Sequence, residues 1–282
     1  QTDYYKQLAL TFNPISIHHH LKKRFFDKAH PNVRTHSSTY RDNRFLDEEY
    51  KAELEELREL DAGLALVYAD GEWGDIKNII YQHWEIVDFD WLQEKYEEEA
   101  FGLDWGFSKP TAVTHTGFRG ETCDISELIY QTRLTDDDLI TILEQTIPAS
   151  KRQVPIYADP SQPGSIEALR RAGFVIRAAE NNVVEGIRSV QRKRQRISQS
   201  SQNIVKEISG YKWRELRSGE VLDEPVKVND HAMDSIRYPT YTIWLMDQDK
   251  INPADFQGAS TGTSTDELNK VFSHAEDAQS PF

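Results

Sequence analysis

Three aspartates occupy positions where solubility alone does not explain a carboxylate. Asp104 interrupts an apolar strand pattern, Asp159 directly follows the apolar residues 154–158, and Asp234 lies near the start of a predicted helix. His231, three residues before Asp234, shares its helix face. Converging acids without a cation repel one another and their pKa values rise, whereas two divalent ions about 3.5–4 Å apart would make them a clamp for phosphodiester hydrolysis. The residue types therefore predict a two-metal hydrolytic site.

Each aspartate also has an ordinary structural interpretation. Asp230 fits the N-cap of the predicted helix, and Asp234 fits its acidic first turn, which the helix dipole favours. Asp159 precedes Pro160 and fits a turn. Asp104 is the hardest to explain structurally, because a charge inside an apolar strand is costly unless something pairs with it. Spacing in the sequence leaves both interpretations open.

The elements that would position these residues begin near residue 101. Turn residues separate apolar stretches at 101–105, 112–118 and 122–131, which predicts an antiparallel meander. After it, short strands alternate with helices. The predicted strands are 154–158, 174–178 and 204–208, and the predicted helices are 135–145, 163–171, 184–197 and one from about 230. This order predicts an α/β fold, a mixed sheet flanked by helices.

The N-terminal third of the sequence has a different pattern of apolar and charged residues. Residues 8–12 resemble a core strand, so the chain begins inside a strand pattern, which predicts a region upstream. Residues 47–60 form the clearest helix, and its run of glutamates is predicted to be a solvated face. We predict a domain boundary near residue 97 and a polar, flexible tail at 251–282.

Composition and charge exclude several classes of protein. The 282 residues include 33 Lys and Arg and 47 Asp and Glu, a formal charge of −14, which argues against a protein that coats nucleic acid through long-range attraction. An enzyme that contacts DNA locally stays possible. The single cysteine, Cys123, excludes an internal disulfide framework and predicts a reducing compartment. No apolar stretch approaches the roughly 18 residues of a membrane span, and no Gly-x-x-x-x-Gly-Lys-Ser/Thr segment forms a phosphate-binding loop for ATP.

A basic cluster is the candidate for contact with DNA. Arg188, Arg192 and Arg196 recur every four residues, with Lys193 among them, and on one helix they would form a stripe facing phosphates. A solvated helix face explains the same residues equally well. The histidines 18–20 are interpreted as surface residues, because adjacent residues on a helix do not share a face.

Two groups of short motifs resemble those of one known family. The first group is LTFNP at 10–14, STYRDNRFL at 38–46 and GEWG at 71–74. The other group is GLDWGF at 102–107, YADP at 157–160 and NDHAMDSIRY at 229–238. In this order and spacing they resemble the large terminase subunit of tailed bacteriophages, in particular the prophage-type DNA-packaging proteins. The first group is similar to the late part of the packaging ATPase domain, and the other group is similar to the ribonuclease H-like nuclease domain.

The resemblance implies both a site and a function. Asp104, Asp159 and Asp234 would be the metal-binding catalytic acids, with His231 beside them as a supporting or alternative ligand. The cofactors would be two Mg²⁺ or Mn²⁺ ions. The substrate would be concatemeric double-stranded DNA, cut to leave 5′-phosphate and 3′-hydroxyl ends.

The resemblance also implies a domain plan and partners. Residues 1–96 would be the C-terminal portion of the ATPase domain and linker, 97–250 the nuclease domain, and 251–282 the tail. The partners would be the portal protein and the small terminase subunit, with no membrane involved. The location would be the host cytoplasm, transiently at the procapsid portal.

The chain departs from the family pattern at two places. The Walker A and Walker B segments that the family carries upstream are missing, so ATP hydrolysis is not assigned to this chain. Relatives tend to carry a lysine and glycines before the basic helix, where this sequence has AENNV at 179–183. Two alternatives remain open: another ribonuclease H-like DNA enzyme, such as a transposase or resolvase, and a non-catalytic motor or portal-docking segment.

Overall fold

A computed structural model describes residues 7–250, apart from residues 18, 29, 75 and 217 and the side chains of 53, 59, 60, 249 and 250. The chain divides into two units, Gln1–Thr242 and Ile243–Phe282, and the candidate site lies in the first. No helix in the described part combines the length and the apolar character that a membrane crossing needs. The predictions for His18 and for the tail at 251–282 lie outside the described residues.

Strands and helices account for most of the described chain. The strands are β1 (Trp84–Val87), β2 (Glu98–Asp104), β3 (Thr111–Arg119), β4 (Thr122–Gln131), β5 (Ile156–Ala158), β6 (Ile176–Ala178), β7 (Arg194–Ser198), β8 (Trp213–Glu215) and β9 (Val221–Pro225). The helices are α1 (Glu48–Leu60), α2 (Ala62–Tyr68), α3 (Asp136–Thr146), α4 (Pro163–Arg171), α5 (Val183–Gln191), α6 (Gln202–Gly210) and α7 (His231–Lys250). Short π- or 3₁₀-helical turns lie at Lys22–Phe26, Tyr40–Asp42 and Ala149–Lys151.

In the described chain, seven strands form one mixed sheet in the order β1-β7-β4-β3-β2-β5-β6, and β8 and β9 form a separate antiparallel pair. Strands β2, β3 and β4 are the predicted antiparallel meander. Strands β5 and β6 extend the sheet beside β2, and β7 and β1 extend it beside β4, all by parallel pairing. The order β4-β3-β2-β5-β6, with β3 as the antiparallel strand, is that of the ribonuclease H-like fold. The predicted fold class is confirmed.

The side chains of strand β2 point alternately to the two faces of the sheet. Phe101 and Leu103 are fully buried in a core that also contains Leu143 of α3 and Leu169 of α4. Gly102 and Asp104 point to the opposite face, because successive side chains of a strand alternate. The candidate acid therefore lies on the face away from the main apolar core.

Helix starts near the sheet follow their sequence signals. The Asp47 side chain accepts a hydrogen bond from the backbone N–H of Tyr50, and α1 begins at the next residue after Asp47. Thr135 and Asp138 form a reciprocal capping box at α3. Pro163 opens α4, whose bounds match the prediction. The solvated acidic face of α1 is also confirmed, since Leu54 is buried while the described glutamates of the helix are exposed.

Three predicted elements are wrong. The predicted helix 184–197 ends at Gln191, and the chain continues as strand β7. This strand lies between β4 and β1 in the sheet, and its side chains Gln195 and Ile197 are buried. The predicted strand 204–208 belongs to α6, where Ile204 and Ile208 are four residues apart and bury one helix face. The predicted strand 8–12 is absent, because residues 7–15 carry no strand and the apolar side chains of residues 8–12 are exposed.

The N-terminal region packs against residues that follow the sheet. Leu57 of α1 and Leu64 of α2 share an apolar cluster with Val226. The buried carboxylate of Asp61 lies 2.8 Å from the ammonium of Lys212. Strand β1 precedes the predicted boundary near residue 97 yet pairs with β7. The functional division into 1–96 and 97–250 stays a prediction.

Candidate active site

Asp104 ends β2 and faces helix α7. The residue is 7% exposed. Its Oδ2 lies 2.9 Å from Nδ1 of His231, and its Oδ1 accepts a hydrogen bond from the Tyr238 hydroxyl at 3.3 Å. Both partners come from α7, about two turns apart. Within the described chain no Lys or Arg forms an ion pair with Asp104, so its one charged partner is a histidine.

A glycine allows α7 to lie this close to the sheet. A Cβ at position 102 would lie 1.6 Å from the carbonyl oxygen of Ser235, so no larger residue fits there without moving the helix. The Ser235 hydroxyl donates a hydrogen bond to Oγ1 of Thr114 on β3 at 3.0 Å. These contacts fix the helix that carries His231 and Asp234 against the strand that carries Asp104.

The electrostatics of the Asp104–His231 pair follow from its burial. The pKa of Asp104 is raised to about 6, first by burial, while the hydrogen bond with His231 lowers it and the charge of Asp234 raises it. Burial lowers the pKa of His231, but the hydrogen bond with Asp104 and the charges of Asp104, Asp230 and Glu207 outweigh burial and raise it above 6.5. A bound divalent cation would favour the ionised carboxylate.

Asp159 follows β5, the parallel neighbour of β2. Its backbone N–H donates to the carbonyl oxygen of Leu103 at 3.0 Å, and its carbonyl oxygen accepts from the indole N–H of Trp105 at 3.1 Å. Asp104 and Asp159 are therefore adjacent at the carboxyl ends of two parallel strands, where α/β sheets present ligand-binding groups. The Asp159 carboxylate accepts hydrogen bonds from the backbone N–H and the hydroxyl of Ser161 at 3.1 and 2.6 Å.

Asp234 is held by a buried arginine on its own helix. Nε and Nη2 of Arg237 lie 3.1 and 2.9 Å from Oδ1 of Asp234, and Nη2 also donates to Oδ1 of Asn181 at 3.0 Å. Arg237 is 1% exposed, and a Cβ at position 186 would lie 2.6 Å from its Cγ, so Gly186 leaves the room it occupies. The other oxygen of Asp234, Oδ2, lies 3.8 Å from the ammonium of Lys227.

A carboxylate from α6 anchors the start of α7. Oε2 of Glu207 accepts hydrogen bonds from the backbone N–H groups of Ala232 and Met233 at 2.7 and 3.2 Å, and Oε1 accepts from the Tyr130 hydroxyl at 2.5 Å. Burial raises the pKa of Glu207 to about 8. These bonds satisfy backbone donors that the first turn of a helix otherwise leaves unpaired.

The donor set at this edge fits a hard divalent cation. Carboxylate oxygens suit Mg²⁺ and Mn²⁺, and Oδ2 of the buried Asp230 is a polar atom that accepts no hydrogen bond. As the side chains stand, no three His, Cys, Asp or Glu groups of the described residues are placed to hold one ion. Carboxylates must therefore turn toward a bound ion. The ligand roles of Asp104, Asp159, Asp234 and His231 stay predictions.

The structure adds residues that sequence reasoning did not single out. Tyr238 lies seven residues after His231, a spacing that returns to the same helix face, and this signal could have identified it. Arg237 lies three residues after Asp234, a spacing that favours an ion pair on a helix. Glu207 had no such signal, because it reaches α7 from a different helix.

The basic cluster is not a single helical stripe. Arg188 lies on α5 and is paired with Glu185 at 2.7 Å. Arg192 follows the end of α5, and the ammonium of Lys193 donates to a backbone carbonyl at 2.6 Å. Arg196 lies on β7, 2.9 Å from the buried carboxylate of Asp124. The predicted stripe is wrong because α5 ends at Gln191, before the other three residues. Contact of these residues with DNA stays a prediction.

Comparison with known proteins agrees with the sequence resemblance. The order of the sheet strands is that of a ribonuclease H-like fold. The family model for the phage terminase large subunit matches residues 1–72. The PBSX phage terminase large subunit of Bacillus subtilis (strain 168) is 26% identical over 215 residues, which cover 72% of this chain and 49% of that protein. The similarity of this chain to phage terminase large subunits is thus confirmed.

Solved structures of large terminases also align with this chain. The large terminase of a thermophilic bacteriophage, in complex with ATP-gamma-S, aligns with a TM-score of 0.52 and 26% identity over 82% of this chain and 62% of its own. The nuclease domain of the large terminase g2p of bacteriophage SPP1, with bound Mn, aligns with a TM-score of 0.49 and 18% identity over 56% of this chain and 95% of that domain. The chain spans about half the length of the curated relative that it matches.

Proposed function

We propose that this chain carries the nuclease of a phage DNA-packaging terminase and cleaves concatemeric double-stranded DNA by metal-dependent phosphodiester hydrolysis. The observation that carries the proposal is the Asp104 carboxylate. It is buried at the carboxyl end of β2, next to the end of β5, and the Lys and Arg residues of the described chain leave it without an ion pair. The 26% identity to the large terminase of the thermophilic bacteriophage, over 82% of the chain, supports the packaging context.

The proposed roles follow from the contacts of each residue. Asp104, Asp159 and Asp234 would hold two Mg²⁺ or Mn²⁺ ions. Such a pair of cations would supply an activated water and charge stabilisation for the departing 3′-oxygen, so the products would carry 5′-phosphate and 3′-hydroxyl ends. His231 orients the Asp104 carboxylate and favours its ionised form, and the guanidinium of Arg237 fixes Asp234 through Oδ1.

The wider assignment belongs to the same proposal. Residues 1–96 are the end of the packaging ATPase domain and linker, 97–250 the nuclease and 251–282 the tail. The chain works with the portal protein and the small terminase subunit, in the host cytoplasm and at the procapsid portal. Double-stranded DNA is contacted through Arg188, Arg192, Lys193 and Arg196, from separate elements instead of one helix face.

Plasmid digestion tests the proposal. The wild type is incubated with Mn²⁺, Mg²⁺, Ca²⁺ or chelator beside the alanine variants of Asp104, Asp159 and Asp234. We expect cleavage with Mn²⁺ or Mg²⁺ and none with chelator, and we expect each folded variant to be inactive. Undiminished cleavage by Asp104→Ala with Mn²⁺ would reject the assignment. Strand transfer at a defined end sequence would favour a transposase, and absence of Mn²⁺ binding would favour a non-catalytic segment.

A further inference from the structure

One ammonium faces two aspartates beside the proposed site. Nζ of Lys227 lies 3.5 Å from Oδ2 of Asp230 and 3.8 Å from Oδ2 of Asp234. Lys227 lies between β9 and α7, and its side chain is 52% exposed. Because Arg237 binds only Oδ1 of Asp234, the Oδ2 atoms of both aspartates are directed to the same cation.

Asp230 is the unusual member of this group. It is 9% exposed, and its Oδ2 accepts no hydrogen bond. A buried carboxylate oxygen normally has a donor, because an unsatisfied polar atom costs about 1–3 kcal/mol. The ammonium at 3.5 Å is therefore its main compensation, and a cation that comes closer would satisfy it better.

We propose that Asp230 and Asp234 form a divalent-cation position in which Asp230 is a further ligand, and that the Lys227 ammonium holds this position until the metal ion displaces it. The inference rests on the proposed metal-dependent function and adds Asp230 and Lys227 to its site. Both aspartates lie at the start of α7 beside His231, the hydrogen-bond partner of Asp104, so the position is the α7 side of the proposed two-ion clamp.

The chemistry of the groups supports the exchange. A lysine side chain is flexible, and a half-exposed ammonium regains water when it leaves. Mg²⁺ and similar ions bind a few carboxylates and keep several waters, so a carboxylate also reaches the ion through a bound water. An ammonium and a divalent ion between the same two oxygens repel each other, so the two occupy the position alternately.

Mn²⁺ titration of the full chain, without DNA, tests the role of Lys227. Calorimetry or the electron paramagnetic resonance of free Mn²⁺ gives the affinity for the wild type and for K227M, K227R and K206M. We expect K227M to bind Mn²⁺ about fivefold more tightly, which corresponds to the roughly 1 kcal/mol of an exposed ion pair. K227R keeps the charge and K206M removes an exposed lysine of α6, so both should bind as the wild type does.

A second substitution tests the ligand role of Asp230. Asn and Asp are about equally good at the start of a helix, so D230N preserves the fold while it removes the charge. We expect D230N to bind Mn²⁺ about tenfold or more weakly. D223N, at a carboxylate on β9 that is 79% exposed, is the matched control and should bind as the wild type does.

The outcomes separate this inference from the function on which it rests. Mn²⁺ binding by the wild type that K227M leaves unchanged would overturn the exchange, and wild-type affinity in D230N would overturn the ligand role. If neither the wild type nor K227M bound Mn²⁺, the proposed function itself would fail, and the inference with it.

Discussion

Asp104 and Asp124 are buried in the same sheet but face different partners. Asp124 on β4 is fully buried and forms ion pairs with Arg119 and with Arg196, the latter at 2.9 Å. Asp104 on β2 is 7% exposed and, among the described residues, meets a histidine and a tyrosine hydroxyl but neither Lys nor Arg. Burial raises the pKa of both carboxyls.

The difference separates a structural acid from a candidate ligand. The charge of Asp124 is balanced permanently by two guanidinium groups, so the fold itself uses it. Among the described residues, Asp104 has only His231 as a charged partner, whose charge depends on pH, and it lies at the carboxyl end of β2. We infer that a buried acid without a fixed cation is the one available to an external cation.

The largest expected effect is that of a substitution at Asp104, the acid without a fixed cation. Asp104→Asn should lower DNA cleavage with Mn²⁺ by about 10³-fold or more, as removal of one member of a catalytic unit does. Its free energy of unfolding at pH 7 should stay the same or rise, because the native carboxylate is disfavoured by burial. Cleavage rates and denaturant unfolding measure both. A large loss of stability would make Asp104 a structural acid like Asp124.

The matched change at Asp124 should have the opposite profile. Asp124→Asn removes the carboxylate that Arg196 binds and leaves Arg119 with Glu94 alone, and we expect a loss of about 2 kcal/mol in the free energy of unfolding. Cleavage by the folded fraction should fall far less than in Asp104→Asn, because Asp124 lies outside the proposed metal site. If cleavage fell as far as in Asp104→Asn while the protein stayed folded, the distinction between the two acids would be lost.

A smaller effect concerns the carboxylate that anchors α7. The pKa of Glu207 is raised to about 8 by burial, above its unfolded value, so between these values the native side chain is protonated and the unfolded one is ionised. Stability should therefore fall as pH rises from about 5 to 8. Glu207→Gln cannot ionise, so its free energy of unfolding should change between these pH values by at least about 1 kcal/mol less than that of the wild type. The measurement is the dependence of Tm on pH, which should be flatter for the variant. Identical slopes in both proteins would contradict this.

Local signals made much of the fold predictable. The helices predicted at 47–60, 135–145 and 163–171 match α1, α3 and α4, and turn residues located the meander. The basic segment was misjudged, because Arg188, Arg192 and Arg196 have helical spacing although the chain leaves the helix at Gln191. Burial between β4 and β1 decided that segment, and pairing between distant strands is not visible in local spacing.

The candidate site was predictable in part. The charge inside an apolar strand identified Asp104, and helical spacing linked His231 to Asp234. The 2.9 Å contact between Asp104 and His231 joins residues 127 positions apart, which no local pattern specifies. The roles of Lys227 and Glu207 depend on how β9, α6 and α7 pack, so they required the structure.

Anomalous diffraction from crystals soaked in Mn²⁺ tests the central claim most directly. We expect an anomalous peak about 2.0–2.3 Å from a carboxylate oxygen of Asp104, with Asp234 among the neighbouring ligands and the hydrogen bonds of Asp104 rearranged around the ion. Mn²⁺ ordered only at other surfaces, with Asp104 still bonded to His231 and Tyr238, would contradict it.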